Sequence, residues 1–197
     1  MRWLMMVITI LFMGGCAVKT VPTPTTYTLH QETPYLKNLR LQQAKFEALR
    51  LTLTHATRLS NTTAIYYQKS DFLQQPYTYS RWYDRLDSMF ENKLMQALYT
   101  TNLAKSILPA TTHADTPMTL EVVILNFVQD FSQGEPSIGR VVVMATLIDN
   151  HQGKTIASKR FSANIPAPSE DAQGGIVALN RATDRVIMEM VEWLEAL

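Results

Sequence analysis

Residues 118–165 contain three strand-like stretches: MTLEVVILNFVQD (118–130), RVVVMATLID (140–149) and KTIASKRFSANI (154–165). In the third stretch, Ile156, Ser158 and Arg160 alternate with Ala157, Lys159 and Phe161, which is the period-two pattern of a strand. Asn150-His151-Gln152-Gly153 precedes it and predicts a hairpin turn, because Gly153 can adopt a positive φ. We therefore predict three neighbouring strands, the last of which ends at Pro166 and Pro168.

Two amphipathic helices are predicted on either side of these strands. The first begins at Ser80 as N-cap, carries Asp84 in its first turn and ends near Thr100. Its apolar residues recur every three or four positions: Tyr83, Leu86, Phe90, Leu94 and Ala97. The second begins at residues 171–175, with the adjacent acids Glu170 and Asp171 as capping charges at its start. Its apolar face contains Val186, Ile187, Met190, Val191 and Leu194.

Shorter strand patterns occupy the N-terminal half of the chain. We predict strands at residues 27–29, 50–57, 63–69, 72–78 and 103–108, with the third and fourth joined around Ser70-Asp71. Residues 34–48 fit either a helix or a strand. The order of strands, helix, strands and helix predicts an α/β (α+β) fold. We expect a two-layer sandwich in which a mixed, largely antiparallel sheet carries two long amphipathic helices on one face.

The first sixteen residues have the layout of a secretory signal. Arg2 precedes an apolar run, and Gly14-Gly15 follow it directly before Cys16. The run is shorter than the roughly 20 apolar residues that cross a bilayer. Met13-Gly14-Gly15-Cys16 resembles a lipobox, and the chain has no second cysteine with which Cys16 could pair. We therefore expect residues 1–15 to be cleaved and the Cys16 thiol to carry acyl chains, of which two or three anchor firmly.

Residues 16–26 are interpreted as the lipidated cysteine and a Pro/Thr-rich tether. Prolines favour extended backbone, and the segment has too few apolar residues to pack. The residue after the cysteine is Ala17 rather than the aspartate that retains many lipoproteins at the inner membrane. We therefore expect attachment to the periplasmic face of the outer membrane in a Gram-negative bacterium, with residues 27–197 forming a single periplasmic domain.

The charge composition argues against nucleic acid as a partner. Loss of Arg2 with the leader reduces the 18 Lys+Arg to 17, equal to the 17 Asp+Glu, so the remaining chain is formally neutral. No basic stripe suited to nucleic acid and no polybasic run is present, which argues against nucleic-acid binding. With 46% hydrophobic and 18% charged residues, the chain can bury one substantial core.

No sequence motif indicates catalysis, a metal or a cofactor. The four histidines, His30, His55, His113 and His151, are widely spaced and none belongs to an HExxH motif. The chain has no nucleophile elbow, P-loop or Rossmann glycine pattern. We read His55 as a structural residue of a strand. The prediction is a non-catalytic protein without catalytic, cofactor-binding or metal-binding residues.

Clustered aromatic residues are the remaining candidates for a functional surface. They occur as Tyr66-Tyr67, Tyr77-Thr78-Tyr79 and Trp82-Tyr83. Such residues anchor a core or line a groove for a lipid or partner, and both interpretations stay open for Tyr77, Tyr79 and Trp82. We expect the Trp82 ring to be buried where the helix meets the sheet.

The sequence resembles the ABC-type transport auxiliary lipoproteins, the outer-membrane accessory components of MCE/MlaE-type lipid transporters. The resemblance rests on the lipobox cysteine, residues 27–29, the segment 77–84 with the helix and residues 102–109 that follow, and the C-terminal strand, Gly174-Gly175 and closing helix through Trp193-Leu194. It implies a periplasmic α/β domain that meets an MCE-domain protein reaching from the inner membrane, with no catalytic residues of its own. The alternatives are a periplasmic lipid-binding carrier with its own apolar cavity and an outer-membrane assembly or envelope-integrity lipoprotein. Binding of phospholipid and formation of a homo-oligomer stay open.

Overall fold

The computed structural model describes residues 22–30, 33, 36–54 and 60–197. The predicted signal peptide, Cys16, most of the tether and His55 lie outside these residues. Within the described residues, eight strands form one sheet: β1 Thr25–Tyr27, β2 Phe46–Thr54, β3 Ala64–Ser70, β4 Leu73–Trp82, β5 Ala104–Pro109, β6 Met118–Asp130, β7 Ile138–Asp149 and β8 Lys154–Pro166. The helices are α1 Leu86–Thr100 and α2 Ala172–Ala196, and a short 3-10 helix covers Leu36–Leu39.

The sheet branches at β6. One edge of β6 pairs along its length with antiparallel β7, which in turn pairs with β8. The other edge is shared by two parallel strands: β2 pairs with residues 118–123 and β3 with Gln129 and Asp130. Parallel β5 extends the β2 branch, while antiparallel β4 and then parallel β1 extend the β3 branch. The sheet is mixed and open, its longest ladders are antiparallel, and the predicted fold class is confirmed.

Both helices contribute to one apolar core. Helix α2 packs against β6, β7 and β8, whereas α1 packs against β2 and β5 and also contacts α2. The predicted apolar faces of both helices are buried from Leu86 onwards. Alternate residues of the central strands meet them, including Leu120, Val122, Ile124, Val141, Val143 and Ala145.

A buried ion pair ties the two helices together. Lys93 in α1 is 1% exposed, and its ammonium lies 2.7 Å from the Asp184 carboxylate in α2. The ammonium also donates to the carbonyl of His30, and Thr33 Oγ1 donates to Asp184. This network joins α1, α2 and the segment that follows β1.

Gly139 in β7 allows the closest approach of α2 to the sheet. A Cβ atom at this position would lie 2.5 Å from the carbonyl carbon of Ala178 and 2.6 Å from the nitrogen of Leu179. Because both contacts are with helix backbone, Gly139→Ala is expected to lower the free energy of unfolding by about 1 to 3 kcal/mol. Chemical denaturation measures the change, and Ser162→Ala on an exposed position of β8 serves as the control. Equal stability of the Gly139 variant would show that α2 can move away without cost.

The predicted start of the first helix is wrong. Residues 80–82 pair with β1, so the backbone that was expected to start the helix belongs to β4. Helix α1 begins only at Leu86, after the N-cap residue Arg85, which makes no side-chain capping bond. Tyr83, expected on the apolar face, is instead 78% exposed. A strand partner 55 positions earlier, with Thr25 beside Ser80, therefore overrides the local helical pattern.

The other elements agree more closely with the sequence pattern. Strands β5 to β8 begin and end within two residues of their predicted limits. Gly153 has φ of +61°, as the predicted turn requires. Asp171 is the N-cap of α2, as predicted, and its carboxylate accepts from the nitrogen of Gly174. Strand β1 lies two residues before its predicted position and starts directly after Pro24, which has no N–H to donate.

Candidate functional site

The main candidate site is an open groove between the β3–β4 hairpin and the start of α2. We call it the aromatic groove. Its volume is about 560 Å³. It is lined by Tyr67, Lys69, residues 76–80, Phe131 and residues 170–172. The site thus combines a hairpin, the end of β6 and a helix N-terminus.

Aromatic rings form the wall of the groove. The Tyr67 ring lies 4.7 Å from that of Tyr77 and 6.1 Å from that of Phe131, between centroids. Lys69 places its ammonium 5.7 Å from the Tyr67 centroid. Tyr79 lies two residues after Tyr77 on the same side of β4 and is 55% exposed. The wall therefore has a fixed inner part and an exposed ring at Tyr79.

A buried amide supports this wall from behind. Gln129 is 0% exposed, accepts from the Tyr77 hydroxyl at 2.7 Å and donates to Ser137 Oγ at 2.8 Å. A Cβ atom at position 175 would lie 1.9 Å from Gln129 Oε1, so Gly175 leaves room for the amide. Burial raises the pKa of Tyr77 above its usual range, with smaller contributions from Tyr67, Asp171 and Glu170. Tyr77 therefore remains a neutral donor near pH 7.

Two acids border the groove at the start of α2. Glu170 accepts from the backbone nitrogen of Ser137 at 2.9 Å. The Asp171 carboxylate accepts from the nitrogen of Gly174 at 2.8 Å and from Ser169 Oγ at 2.7 Å. The bond from Gly174 makes the largest contribution to lowering the pKa of Asp171, and the bond from Ser169 lowers it further. Both acids are exposed but bound to the local backbone, so their first role is to fix the loop and helix start.

The structure separates the three predicted contact residues. Tyr77 and Tyr79 line the aromatic groove. Trp82 lies outside the groove, 1% exposed, with its ring edge-on to that of Phe127 at 6.0 Å. The expected burial of Trp82 is therefore observed, although the residue ends a strand and does not begin a helix.

Sequence reasoning missed two residues that line the groove and one that supports its wall. Phe131 and Glu170 line the groove, and Gln129 lies behind it; they come from the end of β6 and from the loop before α2, far from β4 in sequence. The sequence indicated Tyr67 as a candidate, because it belongs to the aromatic pair Tyr66-Tyr67. It gave no indication for Gln129, since an amide at the end of an apolar strand belongs to no recognisable motif.

A second groove of about 750 Å³ lies between α1 and the outer strand β5. Met95, Tyr99 and Ile107 are among its lining residues, and Tyr99 is 76% exposed. Like the aromatic groove, it is open to solvent. No group of three or more His, Cys, Asp or Glu residues suited to a metal ion occurs among the residues that the structure describes. Within the same part of the chain, no helix has both the length and the apolar character needed to cross a membrane.

Comparison with protein families gives one match, to the ABC-type transport auxiliary lipoprotein component, over residues 27–191. The chain belongs to this family. The match covers β1 to β8, α1 and nearly all of α2, and it therefore includes both grooves. This auxiliary lipoprotein has no match among curated protein sequences.

Solved structures share the fold of this auxiliary lipoprotein. A protein from Xanthomonas campestris, assigned to family model DUF330, aligns with a TM-score of 0.74 at 17% identity over 86% of this chain and 94% of that chain. PelC from Paraburkholderia phytofirmans, described as a dodecamer, aligns with a TM-score of 0.50 at 12% identity over 79% of this chain and 91% of that chain. Membership of this family indicates a lipid-anchored protein of the bacterial envelope associated with ABC-type transport.

Proposed function

We propose that the protein is a non-catalytic subunit of an MCE/MlaE-like lipid transport system that docks the periplasmic MCE component at the outer membrane. The family match over residues 27–191 carries this proposal, because the family is described as an auxiliary component of ABC-type transport. The ATPase and permease of such a system would supply the energy. This chain would supply an attachment point.

The aromatic groove is the surface that we assign to docking. Tyr79 exposes more than half of its ring, while Tyr77 is held by Gln129 and Tyr67 packs on both Tyr77 and Phe131. Tyrosines fixed by their neighbours lose little conformational entropy on binding, and they are frequent among residues that dominate interface energies. The tyrosine side chains of the groove are therefore pre-organised for binding an apolar segment of a partner.

The proposed anchor is the acylated Cys16. It would hold the domain at the periplasmic face of the outer membrane, in keeping with the Ala17 that follows it. The formally neutral mature chain would provide little electrostatic steering. Binding of the MCE component should therefore rest mainly on apolar contact and depend only modestly on salt.

A lipid carrier is the alternative function. A carrier needs an apolar cavity that encloses much of its ligand. Both grooves are instead open at the surface, and the apolar side chains between helices and sheet belong to one continuous buried cluster. These features favour docking over carriage.

Self-association is part of the same proposal. Strand β5 lines the second groove, and among the described strands it pairs with β2 alone. A strand edge without a partner can accept a strand of another copy. The dodecamer reported for PelC is an example of assembly by a protein of related fold.

Replacement of Tyr79 by serine tests the docking surface. With mature lipoprotein purified from membranes in detergent, the affinity for the cognate MCE domain should fall about tenfold or more, as expected for loss of a central aromatic contact. Tyr99→Ser, which removes an exposed tyrosine from the second groove, should leave the affinity unchanged. Calorimetric titration without nucleotide or metal gives the affinities.

The same preparation separates the alternatives. Full affinity in the Tyr79 variant with loss in the Tyr99 variant would move docking to the second groove. Absence of binding by the unmodified protein, combined with stoichiometric lipid detected by mass spectrometry, would replace docking with carriage.

A further inference from the structure

The β3–β4 hairpin ends in an exposed apolar tip. Phe72 is 98% exposed and Leu73 is 44% exposed. Pairing of β3 with β6 involves Tyr67 and Gln68, and the backbone nitrogen of Phe131 donates to the carbonyl of Gln68. Beyond Gln68, in the described sheet, the two hairpin strands pair with each other. The tip therefore projects past the end of the sheet.

The direction of β1 places the anchor on the same side as the tip. Thr25, Thr26 and Tyr27 run parallel to Ser80, Arg81 and Trp82. Parallel strands share a direction, so the chain before Thr25 approaches from the end of β4 that begins at Leu73. An anchor attached to the chain that precedes Thr25 would therefore lie toward the same end of the molecule as the hairpin tip.

The lengths of the two segments also agree. Nine residue steps separate Cys16 from Thr25, and an extended Pro-rich chain covers about 28 Å over that distance. Seven steps separate Ser80 from Leu73 along β4, or about 24 Å for a strand. The tether can therefore place the acylated Cys16 level with the tip of the hairpin.

The chemistry of the tip suits a bilayer interface. Phe72 follows Asp71 and Leu73 precedes the uncharged Gln74, and the opposite charges of Lys69 and Asp71 leave the tip without net charge. An apolar pair in a segment without net charge can enter the boundary between headgroups and acyl chains while the charged side chains stay among the headgroups. Tyr77 lies about 13 Å beyond Leu73 along β4, so Tyr77 and Tyr79 would remain clear of the bilayer.

We infer that Phe72 and Leu73 insert into the membrane that holds the acyl chains of Cys16, giving the domain a second contact with the bilayer. This inference rests on the anchor in the proposed function. Two contacts would fix the orientation of the domain, whereas a tether alone would leave it free to rotate. The aromatic groove would then face away from the membrane toward the periplasm.

A fluorescent label at the tip tests the inference in the full chain. Cys16 is the only cysteine, and acylation blocks its thiol, so a nitrobenzoxadiazole label can be attached selectively to Phe72→Cys. In vesicles of phosphatidylethanolamine and phosphatidylglycerol, the emission at position 72 should shift to the blue and be quenched by spin-labelled lipid. Tyr83→Cys, which is exposed just beyond the opposite end of β4, provides the matched control and should show neither effect.

Each other outcome would overturn the inference for a different reason. No quenching at position 72 with Cys16 shown by mass spectrometry to be acylated would leave the tip free for a protein partner. Equal quenching at positions 72 and 83 would mean that the domain lies flat on the bilayer. An unacylated Cys16 would remove the proposed anchor itself, and this result is separable from the first two because the N-terminal peptide is measured directly.

Discussion

Replacement of Trp82 by alanine is expected to lower the free energy of unfolding by about 3 to 5 kcal/mol, the usual cost of removing a large buried aromatic side chain. The ring is 1% exposed and packs edge-on against Phe127 of β6. The backbone of the same residue pairs with Tyr27 in β1, and its nitrogen donates to the carbonyl of Thr63 at 2.7 Å. Removal of the ring would leave a cavity beside Phe127 in the apolar core.

The measurement is urea unfolding of the purified lipoprotein in detergent, followed by circular dichroism. Tyr83→Ala is the control, because this neighbouring aromatic side chain is 78% exposed and its loss should change stability little. An unchanged unfolding midpoint for the Trp82 variant, together with lost binding to the MCE domain, would instead assign Trp82 to an interface.

Replacement of Asp184 by leucine is expected to cost about 3 to 5 kcal/mol, because it leaves the buried ammonium of Lys93 without its carboxylate. The double replacement Lys93→Met with Asp184→Leu should recover most of this loss, since it removes both charges and fills the space with apolar atoms. Lys93→Met alone should cost less than Asp184→Leu alone, because the side chain of Asp184 is 22% exposed and can be partly solvated.

Thermal unfolding of the four proteins, unmodified, two single variants and the double variant, gives the coupling between the charges. Arg185→Ala is the control. Arg185 directly follows Asp184 in α2, and its replacement removes only an exposed ion pair with Glu189, so the effect on stability should be small. If Asp184→Leu were as stable as the double variant, the His30 carbonyl alone would be sufficient for the Lys93 ammonium.

The sequence was most informative where local pattern and tertiary contact agree. Strand β6 was predicted with the limits that it has, because a run of apolar and β-branched residues is buried along much of both faces. The apolar face of α2 was predicted for a similar reason, since Val186, Ile187 and Met190 face the sheet and are 0% exposed. The start of α1 was missed because Ser80 pairs with Thr25, a partner that no local pattern reveals.

The candidate site was predictable only in part. Tyr77 and Tyr79 stand out in the sequence as aromatic residues two apart on a strand, but nothing local relates them to Phe131 or Glu170. Their association follows from the branch in the sheet, which brings the hairpin beside the end of β6. The buried Gln129 shows its role only once the Tyr77 hydroxyl and Ser137 are seen on either side of its amide.

The branch at β6 also determines how the molecule would carry mechanical load. The β6–β7 and β7–β8 ladders extend along nearly the whole of their strands, whereas the hairpin joins β6 through the pairs at Tyr67 and Gln68. Tension applied to the hairpin would therefore reach the core through this short junction, the Tyr77–Gln129 bond and the Trp82 ring. Such a junction yields before the long ladders do, so a pull on the hairpin could tilt that branch and change the width of the aromatic groove while the helix-covered core stays intact.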